Sequence, residues 1–290
     1  MTDIILHIGA HRTGSTAVEQ TLSANHDLLR AEGRVVWTPL DLRQMDAFVC
    51  RRGQRPTGPE KTAMAREVEA TAAAQLVISE ENMIGQMNVN MVHGEFYDRA
   101  KGRMTFLRDL FPVLPRRIAL GLRDYESYWL SSYAYVIARS LLPPFEALAP
   151  GMVGARRGWL DLVDDLREVF PDADILVWPR EALRGRELEI ACRMIDRETT
   201  DMAARPGQVN PSLGPKAIPQ LYALRKANPD IWESKLSALV AAGEGPDLAP
   251  FEGFDRSARD EMATRYSADL AALSRGYEDV TFLSQEGLAA

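Results

Sequence analysis

The run "DIILHIGAHRTGSTAVEQTL", Asp3 to Leu22, leaves this chain few choices of fold. A short apolar stretch ends at Gly9, a second glycine follows at Gly14, and beyond Ser15 apolar residues recur at helical spacing. That pattern reads as strand, tight loop, helix. The N–H groups of a first helical turn, and the helix dipole, favour an anion over such a loop, and glycines let the backbone approach it closely. The loop "GAHRTGST", Gly9 to Thr16, has the glycines and the final Thr of a Walker A sequence, G-x-x-x-x-G-K-[ST], but Ser15 takes the lysine's place. Its strong cation is Arg12, ahead of the second glycine, and Thr13, Ser15 and Thr16 add hydroxyls. Arginine can meet a phosphate or sulfate through forked, charge-assisted hydrogen bonds. A plain strand–turn–helix with a Ser or Thr cap is the simpler alternative.

The same alternation continues. "RVVWTP", "QLVISEEN", "RRIALGLRD" and "ADILVWPRE" read as further strands, with helical segments between them. "STAVEQTLSANHDLLRAEG" reads as one helix closed by Gly33. Residues 85–103 read as loop and short helix, and residues 141–158, with three prolines and three glycines, as a loop or lid. The expected fold is α/β: a P-loop-like parallel sheet flanked by helices, with a helical C-terminal extension. One domain is expected over 1–290, its core at about 1–200 and the extension at about 205–290.

Composition narrows the function classes. A net charge of −7 argues against a general nucleic-acid or anionic-membrane binder, yet leaves room for a small anion held by local arginines. Cys50 and Cys192 lie far apart in no metal-like spacing, which suits a reducing compartment without disulfides. With no leader-like start and no apolar run of the roughly 18 residues a membrane span needs, a cytoplasmic enzyme or binding protein is expected.

"HIGAHRTGSTAVEQTL" resembles the 5′-phosphosulfate-binding loop of sulfotransferases, above all the bacterial members that begin G-x-H-K-T-G-T-T, with Arg12 at the lysine. That family also has a strand ending in Arg with a Ser eight residues later, the pair that binds the donor's 3′-phosphate. "IALGLRDYESYWLSSY" supplies Arg123 and Ser131 at that spacing, with Tyr125 where the family often has proline. The resemblance implies a donor, 3′-phosphoadenosine 5′-phosphosulfate (PAPS), leaving as adenosine 3′,5′-bisphosphate, with no metal. It implies donor binding by Arg12, Thr13, Gly14, Ser15, Thr16, Arg123 and Ser131, and places His11 on the acceptor or sulfate side.

In-line sulfuryl transfer to a hydroxyl or amine needs a group to take the acceptor's proton. "SEEN" at the end of a predicted strand resembles the S-S-E-N run of the bacterial enzymes and aligns Glu81 with its Glu. Neighbouring strand residues face opposite ways, so only one of Glu80 and Glu81 should meet the acceptor. The catalytic candidates are Glu81, Arg12 and His11. A carbohydrate, a lipid-linked sugar or a small alcohol would each fit, and oligomeric state leaves no sequence signal. An atypical P-loop nucleotide kinase or NTPase, and a non-catalytic nucleotide-binding protein, are the alternatives. Weaker features are Asn210, Ser212 and Leu213 in an N-x-S-L step, Arg156 and Arg157 as a surface pair, and His26 and His93 as structural residues.

Overall fold

A computed structural model describes residues 2–51, 53–183, 185–198, 201–204, 215–243, 251–277 and 279–284. Strands β1 (Asp3–His7), β2 (Arg34–Trp37), β3 (Gln75–Ser79), β4 (Arg117–Leu122), β5 (Asp174–Pro179) and β6 (Val280–Phe282) form one sheet in the order β2-β3-β1-β4-β5-β6. Every pairing is parallel. Parallel sheets are covered on both faces, so their strands read as nearly continuous apolar runs, as β1, β3 and β4 do. Ile4 and Leu6 enter the core on one face and Ile5 that on the other, each fully buried. Each such side chain contributes about 1.5–3 kcal/mol. β2 and β3 lie to one side of β1, and β4 and β5 to the other. The loops after β1, β3 and β4 therefore gather where the strand order reverses, the usual ligand crevice of an open α/β sheet.

The expected alternation is present, with the loop and short helix expected in 85–103 and three differences elsewhere. The helix read from Ser15 to Gly33 is two, Ser15–Ala24 and His26–Ala31. Asn25 breaks it, its side chain bonding Thr21 O (2.8 Å) and both the C=O and the N–H of Ala203 (2.9 and 2.7 Å). Within 85–103 lie the helix Met87–His93 and the start of the helix Ala100–Leu110. Residues 141–158 hold a packed helix, Phe145–Val153. Pro143 and Pro144 mark its start and Pro150 lies within it, and Phe145 sits edge-on against Tyr133, Phe251 and Phe254 with centroids 5.1–5.2 Å apart. Apolar burial there outweighs the breaker residues. The C-terminal extension also supplies a strand, β6, whose three residues were too few to stand out by pattern.

Two polar anchors tie the extension to the core. Tyr125 accepts from the Trp159 N–H (2.7 Å) and donates to Asp269 on the helix Arg256–Ser274. The position where the resembled family often has proline thus holds a helix-to-helix strut. Arg225, on the helix Ile218–Ala227, is 2 % exposed and donates to Ile137 O (3.2 Å), Pro229 O (2.9 Å), Ile231 O (2.7 Å) and Ala138 O. Two of these carbonyls, Ile137 and Ala138, lie at the C-terminal end of the helix Tyr125–Ile137, where a cation is also favoured by the helix dipole. Stranding buried carbonyls costs about 1–3 kcal/mol each. Arg225→Met should therefore lower urea-unfolding stability by about 3 kcal/mol or more; a loss below about 1 kcal/mol would show that the guanidinium is not a structural tie.

Candidate functional site

The loop between β1 and the helix Ser15–Ala24 is set by a close approach. A Cβ on Gly9 would lie 2.6 Å from Ser15 Cβ and 3.0 Å from His7 Nε2, closer than atoms pack. Arg12 (φ 64°) and Gly14 (φ 96°) take the left-handed backbone that completes the turn. Thr13 braces it from inside, its N–H and hydroxyl both donating to Ala10 O (3.3 and 2.6 Å). The cap residue is Gly14 rather than Ser or Thr, so no side chain covers the first-turn N–H groups of the helix. This is the cradle expected of an anion loop.

Arginines converge behind it. Arg12 Nε donates to Ser131 Oγ (3.0 Å), and its guanidinium stands over the Tyr135 ring, 4.9 Å from the centroid. Arg139 stacks on the same ring at 3.4 Å. Arg123, just beyond β4, donates through Nη1 to Arg12 O (2.7 Å) and through Nε to Ser127 Oγ (2.7 Å). Arg123 and Ser131, expected to act as a pair, are thus joined through Arg12, while Ser127 holds Arg123 directly. Burial first, then the nearby charge of Arg180, pushes Arg123 down to about 10. Arg12 is lowered too, chiefly by burial and also by Arg139 and Arg180, against the raising pull of Glu81. Desolvated guanidiniums with further cations beside them would be relieved by an anion among them. Arg139, Arg180, Ser127 and Tyr135 escaped the sequence reading, although Arg180 repeats the signal of Arg123, an arginine at a strand's C-terminal end.

The two acids after β3 part company. Glu80 is 6 % exposed and accepts from the backbone N–H and side-chain amide of Asn82 (2.9 and 2.6 Å), capping the short turn Glu81–Met83. Glu81 turns the other way and accepts from Ser15 Oγ (3.2 Å), at the loop. The strand stops at Ser79, so a cap separates the acids where alternation along a strand was the expectation. His11 is 2 % exposed with both ring nitrogens engaged, Nδ1 with Tyr97 Oη (2.8 Å) and Nε2 with Asn82 Oδ1 (3.3 Å). Its N–H also donates to Tyr97 Oη (3.1 Å), so His11 braces the loop against the Glu80–Asn82 turn instead of facing a ligand.

On the same side of the sheet as the helix Ser15–Ala24 lies a cavity of about 290 Å³, lined in part by His7, Ser15, Glu19, Arg43, Ser79 and Glu81. His7 pairs in register with Ser79, which places their side chains on one face. Ser79 Oγ donates to Glu19 Oε2 (3.2 Å), and His7 Nδ1 meets Ser79 Oγ at 2.9 Å. Burial pushes His7 down to about 4 and keeps it neutral. Burial first, with Glu81 and Glu80 nearby, pushes Glu19 up to about 7. Glu19 was not among the candidates read from the sequence.

The remaining candidates lie elsewhere. Arg156 is exposed and pairs with Glu95 (2.8 Å); Arg157, expected at the surface, is half-buried, bonding Phe96 O (3.3 Å) and Asp165. His26 and His93 pair with Asp27 and Asp98 (each 3.2 Å). Asn210, Ser212 and Leu213 lie outside the described residues. Among the described residues no three His, Cys, Asp or Glu side chains cluster as a metal site, and no helix is long and apolar enough to cross a membrane.

The chain matches no protein-family model and no curated protein sequence. Among solved structures, the hydrogenase maturation factor HypB from Archaeoglobus fulgidus is similar at 13% identity and a TM-score of 0.27, over 67% of this chain and 87% of that one.

A carboxyl held above its unfolded value binds its proton more tightly in the folded state. Glu19 should therefore cost no stability below about pH 4.5 and a growing amount as pH rises toward 7. Allowing for its partial exposure, Glu19→Gln should gain on the order of 1–2 kcal/mol relative to wild type between pH 5 and pH 8. Urea midpoints at the two pH values test this, and parallel shifts in both proteins would contradict it.

Proposed function

We propose that this chain is a sulfotransferase that moves the sulfuryl group of PAPS to a hydroxyl acceptor. The observation that carries the reading is the position of the loop's cation. Arg12 stands in mid-loop, bonded to Ser131 on the helix Tyr125–Ile137 and backed by Arg123, where a Walker loop would put a lysine after the second glycine. The Cβ-less cradle at Gly9 and the two arginines lowered chiefly by burial fit a ligand with anionic groups at two points.

On this reading the loop N–H groups, Thr13, Gly14, Ser15, Thr16 and Arg12 hold the 5′-phosphosulfate. Arg123 and Ser131, with Ser127 and Arg180 beside them, hold the 3′-phosphate. The donor supplies an activated sulfuryl group. The acceptor oxygen forms the new S–O bond while the bond from sulfur to the phosphate oxygen breaks. Arg12 neutralises charge gathering on that oxygen, the electrostatic help that dominates this kind of transfer. Glu81, aimed at the loop through Ser15, takes the acceptor's proton. His11 acts by holding the turn that carries Glu81, a positioning role in place of the catalytic one expected from the resemblance.

General-base removal typically costs 10²–10⁴-fold in rate. In an assay following sulfuryl transfer from PAPS to a panel of alcohols and sugars, Glu81→Gln should lower kcat by about 10²-fold or more. Its affinity for adenosine 3′,5′-bisphosphate should stay within about twofold, since the base makes no donor contact on this account. Full turnover in that variant would remove Glu81 from the mechanism. Magnesium-dependent ATP hydrolysis in place of sulfuryl transfer would favour the NTPase alternative.

A further inference from the structure

The 290 Å³ cavity beside the loop is built of more than the transfer chemistry uses. Glu81 and Ser15 line it, but His7, Glu19 and Ser79 add a hydrogen-bonded chain of their own, and Thr38, Leu40 and Arg43 complete the lining. His7 is 1 % exposed, and its Nε2 has no hydrogen-bond partner among the described residues. That nitrogen is buried beside Gly9, and burying such a group unpaired is costly.

The lining therefore asks for a ligand that both donates and accepts. The carboxylates of Glu19 and Glu81 take hydrogen bonds; Arg43 and Thr16 give them. Two carboxylates at one wall repel an anion, and Arg43 opposes a cation. Vicinal hydroxyls on an uncharged ring satisfy both sets at once. The volume sits at the lower end of ligand pockets, which run from roughly 300 Å³ upward, so the ligand is compact.

We propose that this cavity is the acceptor subsite and takes an uncharged, monosaccharide-sized polyol, with Glu19, fixed by Ser79 and His7, holding the hydroxyl next to the one presented to Glu81. The proposal rests on the sulfotransferase reading. Glu19 is a specificity-determining residue in it, not the base. Its charged neighbours are Glu80, Glu81 and Arg43. A carboxyl poised near neutrality can give or take a hydrogen bond with little penalty, which suits a hydroxyl partner.

The test separates the two readings. Adenosine 3′,5′-bisphosphate affinity is measured by calorimetry on wild type, Glu19→Gln and Leu40→Trp; Leu40 is 66% exposed at the cavity mouth, so a larger side chain there obstructs entry without disturbing the core. Transfer from PAPS is then followed to uncharged methyl hexosides, to methyl glucuronoside and to phenol. The expected result is transfer to the hexosides, with KM raised at least tenfold in both variants, kcat changed less than threefold and bisphosphate affinity unchanged within twofold. Bisphosphate binding with transfer only to the glucuronoside or phenol, with no transfer, or with a hexoside KM indifferent to both variants would overturn the subsite assignment. Absence of bisphosphate binding in wild type would overturn the sulfotransferase reading beneath it.

Discussion

The return of the chain from β1 into the helix Ser15–Ala24 leaves no room for a side chain at Gly9, and the site is arranged around that approach. Because Ser15 Cβ occupies the space a Gly9 side chain would need, its hydroxyl is delivered to Glu81 across the loop. The same turn forces Arg12 into left-handed backbone. Its carbonyl then meets Arg123, and its side chain meets Ser131. One steric constraint thus fixes three functional directions: N–H groups toward the loop mouth, the guanidinium toward the helix after β4, and the serine toward the acid after β3. Parallel pairing of β1 with both β3 and β4 supplies the partners at the right height.

Charge is then concentrated where water is scarce. Arg12 and Arg123 lie half-buried with Arg139 and Arg180 near them, and on the other side of the loop Glu19 and Glu81 share one cavity. Neither group of like charges is favourable on its own account. A buried carboxyl raised toward neutrality lowers stability at physiological pH, and packed guanidiniums repel. Such arrangements persist where a ligand offsets them, and their opposite signs on either side of Ser15 suit a reaction that brings an anionic donor to an uncharged acceptor. His11, Tyr97 and Asn82 make up the partition between, the backbone N–H and both ring nitrogens of His11 being engaged.

Much of this was legible in the sequence because short-range chemistry decides it. The glycine spacing in "GAHRTGST" defines the loop, and "LRD" after an apolar run places Arg123 at a strand's end. What escaped depends on contacts distant in the chain. Glu19 is an acid on a helix until Ser79, sixty residues on, donates to it. The 141–158 segment looks broken until Phe145 meets Phe251 and Phe254. Ser127 was visible as a serine four residues after Arg123, one helical turn on, but only the fold shows that it, and not Ser131, holds that arginine. Period-two alternation gave the right contrast between Glu80 and Glu81 for an incomplete reason, since a cap made by Glu80 on Asn82 is what separates them.

The central claim is that the arginines around the loop recognise a nucleotide by its 3′-phosphate. Calorimetric titration without magnesium, of adenosine 3′,5′-bisphosphate against ADP on wild type and Arg123→Ala, tests it most directly. The account predicts a preference of at least about tenfold for the 3′-phosphorylated ligand, worth roughly 1.4 kcal/mol, that disappears in the variant. Binding of ADP as tight or tighter, dependent on magnesium and indifferent to Arg123, would contradict it.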